Sequence, residues 1–365
     1  MKRETCNNTI ELGVKKCSHY TTKQIAVLGI LAGAFTAFGG FAATMGAHSI
    51  DNFSMSKFVN GSLFSIGLIL VLTCGGELFT GNVLTIQAYL EKKITANQFF
   101  RNLSIVYIFN FVGVFLVCTL IYFSGLLSSN NGQLMSYIFG ATAYKGGLGF
   151  SSAFSAGVLC NFLVCLGVWG ACGTKSAPAK IILGYVSITG FIVSGFENSI
   201  ANMFYFSTSL LAKLDPTLVT LSGVSDATLN AITLKSAALN ILPVTLGNAF
   251  GGIIFVGVAY WTAFEYIPRK AQKSNLVVIT PERFSGKNVE SESPAYRAKG
   301  DVIACCEKLE DKVEEEFERV SEGYHKVVDI AHHRRVYIPE MKHEVAVSAK
   351  LDLRYKDFES NYFCH

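Results

Sequence analysis

Charge is scarce in this sequence, and the scarcity is local. Asp, Glu, Lys and Arg make up 16% of the 365 residues, where soluble domains average about 25%. Between Gln24 and Phe264 charged residues are sparse, whereas residues 265–365 are rich in them. That asymmetry predicts a membrane domain followed by a water-exposed tail. No dense basic run occurs and the net charge is only +4, so nucleic acid is not an expected partner. The ten cysteines show no CxxC pair and no Cys/His cluster with metal spacing. Several lie in apolar runs, where a thiol behaves as a small hydrophobe, so neither a disulfide framework nor a metal is expected. No nucleophile–base pair and no nucleotide loop appears, which argues against an enzyme and against a cofactor. The first 23 residues lack the apolar core of a cleavable signal peptide; the first span is then expected to act as the insertion signal.

What the sequence has in quantity is apolar length. A bilayer-spanning helix needs about 20 apolar residues. Six segments qualify, at about 24–47, 59–89, 99–125, 149–172, 180–212 and 240–264, the last entered by Pro243 and closed before Pro268. Two of them are interrupted. Gly75-Gly76-Glu77-Leu78-Phe79-Thr80-Gly81-Asn82 cuts the second, and Ser194-Gly195-Phe196-Glu197-Asn198-Ser199 cuts the fifth. Each puts a carboxylate, Glu77 or Glu197, at membrane depth, where an unpaired charge is costly and marks a functional site. Paired breaks in corresponding spans of two halves point to inverted repeats with a binding site between them. Irregular backbone at that depth survives only where protein or a water-filled cavity satisfies it. The expected fold is therefore an all-α membrane protein, with six transmembrane helices in an inverted 3+3 repeat and broken helices 2 and 5. Gly76 and Gly195 supply backbone freedom at the breaks. Glu77 and Glu197 read as structural, accepting hydrogen bonds from free N–H groups there, because a carboxylate facing an anion path would repel.

The expected organisation is a cytoplasmic amino-terminal segment, 1–23, a channel domain, 24–266, and a cytoplasmic tail, 267–365. Lys and Arg near span ends favour the cytoplasmic side. Lys15, Lys16, Lys23, Lys92, Lys93, Arg101, Lys175, Lys180, Arg269 and Lys270 fall on one set of loops, and Lys57, Lys145, Lys213 and Lys235 on the other. Both termini are thus expected in the cytoplasm, with the plasma membrane preferred to an organelle. The sequon Asn52-Phe53-Ser54 then lies outside. In the tail, apolar residues from Val302 to Val327 recur at helical spacing, which predicts an amphipathic helix at about 301–331.

The two breaks, with Asn240-Ile241-Leu242-Pro243-Val244-Thr245-Leu246-Gly247-Asn248 at the sixth span, resemble the formate–nitrite transporter family of membrane channels. The resemblance covers about residues 20–265, with the motifs in order. It implies an aquaporin-like fold, a pentamer with one pore per protomer, and passage of small monocarboxylates or inorganic monovalent anions: formate, acetate, lactate, nitrite or hydrosulfide. By resemblance, Phe64, Leu68, Leu78 and Phe191 form apolar constrictions and Thr80 faces the solute. Lys145 matches a vestibular lysine at the family's spacing to Asn161, and Asn248 matches the polar residue of span 6. One position departs: the family's central histidine is replaced by Asn198. An amide cannot carry a proton near neutral pH, so a proton for the anion has to come from water. A channel for a neutral or cationic solute such as water or ammonia, and a non-conducting receptor with a long tail, stay open as alternatives.

Overall fold

Thr21 and Gln24 set the start of the first long helix. Their side chains and backbone N–H groups bond reciprocally, a capping box that satisfies two otherwise orphaned donors. The helix that follows, α2 (Thr22–Ala47), carries no Asp or Glu and one Lys in 26 residues. In the computed structural model, residues 2–274 are described, with side chains to residue 270. The expected amphipathic helix at about 301–331 lies outside the described residues.

The chain divides into two compact units, Met1–Ile267 and Pro268–His365; the architecture below is that of the first. Its described elements are all helical. A short helix, α1 (Lys2–Val14), precedes α2. Then come α3 (Phe53–Cys74), α4 (residues 79–90, with a 3-10 turn at its middle), α5 (Ala96–Phe123), α6 (Gln133–Gly146), α7 (Phe150–Cys172), α8 (Ala177–Val193), α9 (Ser199–Ala212) and α10 (Leu234–Lys270). Five of these, α2, α3, α5, α7 and α10, are long and apolar enough to cross a membrane. At 17 residues, α8 reaches about 26 Å, short of the roughly 30 Å hydrocarbon core; α9 follows it after the second break.

Helix ends differ from the hydropathy reading where polar caps, rather than apolar runs, decide them. Asn52 caps α3 by accepting from the Met55 N–H, so α3 begins six residues before the apolar run does. A Thr233–Ser236 capping box starts α10 ahead of Pro243, which lies inside the helix rather than at its entrance. Lys145 is in the last turn of α6, Lys57 in the second turn of α3 and Lys235 in the first turn of α10, not on loops. The first 23 residues belong to the membrane unit: Cys6, Ile10 and Cys17 are fully buried against it.

The packing repeats itself. α2 lies against α3 and α5, α7 lies against α8 and α10, and α3 joins the two groups through α8. At the α2–α5 crossing, a side chain on Gly33 or Gly113 would collide with the carbonyl of Asn110 or Ile30. At the α7–α10 crossing, Gly247 and Gly251 stand in the same relation to Phe154 and Val158. Such close backbone approach is how small residues join helices where lipid offers no hydrophobic drive. α10 widens to π-helix over Gly251–Val258. There, a Cβ on Gly252 would lie 2.6 Å from Nδ2 of Asn161, so the glycine makes room for that side chain.

Candidate solute pathway

Each break opens on a glycine in left-handed backbone, Gly75 at φ 88° and Gly195 at φ 75°, a conformation that costs glycine little. Extended chain follows and is tied to a neighbouring span. The Glu77 N–H donates to Leu28 O at 3.1 Å and the Glu197 N–H to Ala156 O at 3.3 Å. One asparagine then grips each break with its whole amide. Asn110 accepts from the Phe79 N–H at 2.9 Å and donates to the carbonyls of Gly29 and Glu77, both at 2.8 Å. Asn248 accepts from the Ser199 N–H at 2.9 Å and donates to those of Gly157 and Glu197 at 2.8 and 2.9 Å.

The carboxylates are held the same way twice. Glu77 pairs with Lys16 Nζ at 3.1 Å and accepts from Asn82 at 2.5 Å. Asn82 donates to Asn102, and Asn102 donates back to the Lys16 carbonyl. Glu197 accepts from Lys145 Nζ with both oxygens, at 2.9 and 3.0 Å, and from Asn202 at 2.7 Å. Asn202 donates to Asn240, and Asn240 donates back to the Lys145 carbonyl. The expected backbone N–H donors are not what holds these carboxylates; Asn110, Asn248 and Asn198 already occupy N–H groups at the helix starts. Both glutamates are nearly sealed, with side chains 5% and 4% exposed. An unpaired charge at that depth costs several kcal/mol, and the lysine and asparagine at each brace offset it.

Between the breaks lies a cavity of about 20 Å³, room for roughly one water. Phe64, Leu68, Leu78, Phe191, Thr80 and Asn198 meet around it, joined by Thr36, Gly67, Val164 and Ile188. Of the ten lining residues none titrates near neutral pH. Thr80 is fully buried and its hydroxyl has no hydrogen-bond partner. Its carbonyl accepts from Asn161 Nδ2 at 3.0 Å and from the Cys165 thiol at 3.2 Å. Asn198 caps α9, accepting from the N–H groups of Ile200 and Ala201 at 3.1 and 3.2 Å. Lys145 and Asn248 sit away from this lining, in the second brace, and Gly76 packs on Ala32.

Lys16, Asn82, Asn102 and Asn110 received no role from sequence, nor did their counterparts Asn202 and Asn240. The available signal was a fully buried asparagine in an apolar span, which needs a partner. Lys16 carried no such mark, because it precedes the first span.

A family model described as "Formate/nitrite transporter" matches residues 3–262. The "Formate channel FocA" of Escherichia coli K12 is 34% identical over 260 residues, covering 70% of this chain and 90% of its own length. The "Formate channel BtFdhC" of Bacillus thuringiensis is 32% identical over 262 residues, covering 70% and 92%. Among solved structures, an "FNT family ion channel" aligns with a TM-score of 0.62 at 29% identity, covering 71% of this chain and 98% of its own. A "Pentameric formate channel with formate bound" aligns at 0.61 and 29%, covering 67% and 97%.

Proposed function

The chain belongs to the formate/nitrite transporter family, and on that premise we propose that it conducts small monovalent weak acids and their anions, formate and acetate first, through the cavity between its two breaks. With five long apolar helices it is an integral membrane protein. The pentamer implied by one structural relative, an inverted 3+3 repeat, cytoplasmic termini and a plasma-membrane location complete the reading.

The observation that carries it is an apolar ring closed around one unpartnered hydroxyl and one amide. Phe64, Leu68, Leu78 and Phe191 cannot replace the hydration of an ion, and stripping an isolated carboxylate costs several kcal/mol or more. The neutral acid avoids that cost. As a carboxylate enters lower dielectric its pKa rises, so it takes a proton from water before the ring. It then meets Thr80 Oγ1, which has a hydrogen bond to give, and Asn198.

Flux of labelled formate and acetate into proteoliposomes is expected to rise as pH falls from 8 to 5, because the protonated fraction rises. Equal flux at both ends of that range overturns the neutral-acid route. The lack of a titratable group in the lining also favours a second reading, a channel for a neutral solute such as water or ammonia. Rapid osmotic shrinkage of the same vesicles without formate uptake decides for it.

A further inference from the structure

Lys145 is the lysine at this mouth that matches the family's vestibular position, yet here its charge is spent. Its ammonium contacts both oxygens of Glu197 and sits 5.2 Å over the Tyr205 ring. A second lysine stands nearby. Lys57 lies one turn before Asn60 on α3, and Asn60 ties that turn to α6, the helix that carries Lys145. Lys57 makes no ion pair among the described residues; its ammonium lies 5.7 Å over the ring of Phe53, and its side chain is half-buried.

Its position on α3 connects it to the cavity. Lys57, Asn60, Phe64 and Leu68 recur at spacings of three, four and four, one face of a helix. Asn60 of that face donates to the Tyr137 hydroxyl at 3.2 Å on α6, the helix that carries Lys145. Phe64 and Leu68 line the cavity. Seven residues of helix place Lys57 about 10 Å from Phe64 along the axis, a charge at the head of the stripe that forms the constriction.

We propose that Lys57, and not Lys145, is the residue that draws monovalent carboxylates and inorganic anions to this mouth, while Lys145 is a positioning residue for the second break. This rests on the weak-acid reading above. An ammonium without a carboxylate partner keeps its field, whereas a closed ion pair presents little net charge to an anion arriving from water.

The test measures formate flux into proteoliposomes at pH 7 over a range of formate concentrations, at low and high ionic strength. Lys57→Gln is expected to raise the half-saturating concentration about three- to tenfold with the maximal rate kept, Lys57→Glu to raise it further and Lys57→Arg to restore it. Wild-type flux at low formate is expected to fall toward the Gln variant as salt shortens the screening length from about 30 Å at 0.01 M to about 3 Å at 1 M. An unchanged half-saturating concentration in Lys57→Gln and Lys57→Glu overturns the proposal, as does wild-type flux that ignores salt. Wild-type vesicles no faster than protein-free ones overturn the weak-acid reading itself, and the assignment with it.

Discussion

The two breaks share a scaffold and differ in what they show the cavity. Each has a left-handed glycine, a glutamate held by a lysine and an asparagine, and a second asparagine spanning the bend. At the first break the cap is Leu78, and two residues on comes Thr80, whose hydroxyl has no partner. At the second, the cap itself is Asn198, whose oxygen is committed to the N–H groups of α9. The braces differ too. Lys16 divides itself between Glu77 and Asn82, whereas Lys145 gives itself to both oxygens of Glu197 and leaves Asn82's counterpart, Asn202, with an unpaired Oδ1. Holding a break open is thus a repeated task with one chemical solution. The polar groups that line the cavity are unlike on the two sides.

The hardest test of that comparison removes one charge from each brace. Lys145→Met strands Glu197, and Lys16→Met strands Glu77; leaving a buried charge unpaired costs about 3–5 kcal/mol. Both variants are expected to melt well below wild type in detergent, with Lys145→Met hit harder because it loses two contacts to the carboxylate. Equal, small shifts would mean that water reaches both carboxylates and the braces are not what holds the breaks. A smaller effect is expected from Thr80→Val, which deletes the unpartnered hydroxyl at nearly constant shape. Stability should hold or rise, since no bond is lost, while formate flux should drop about tenfold, the worth of one hydrogen bond to the passing acid. Lost stability with intact flux would reverse the roles given to scaffold and solute face. The mildest change is Asn198→His. It introduces a group titrating near neutrality, so the pore should stay open with an altered pH profile. A superimposable profile would mean that position 198 does not touch the solute.

Much of this was legible in the chain itself. Glycines beside a carboxylate inside an apolar run mark both breaks, because only an irregular, internally satisfied backbone explains such residues at membrane depth. The apolar ring of Phe64, Leu68, Leu78 and Phe191 was reached only through the family resemblance, since a phenylalanine in an apolar span has no distinguishing mark. Helix starts at Phe53 and Leu234 were missed because caps such as Asn52 and Thr233 act locally and leave little trace in hydropathy. α6 was missed because its apolar side, Leu134, Met135, Ile138 and Phe139, is too short to register as a span.

What the sequence by itself determined is the scarcity of charge, the lengths of the spans and the places where two of them must break, since each follows from the cost of polar groups in hydrocarbon. Only the tertiary structure decided the partners. Lys16 lies 61 positions before Glu77 and Asn248 lies 51 after Glu197; nothing local links them. They meet because a buried carboxylate and a bent backbone demand donors from whichever helix passes by. That same demand binds Lys145 to Glu197, while Lys57 has no ion pair among the described residues.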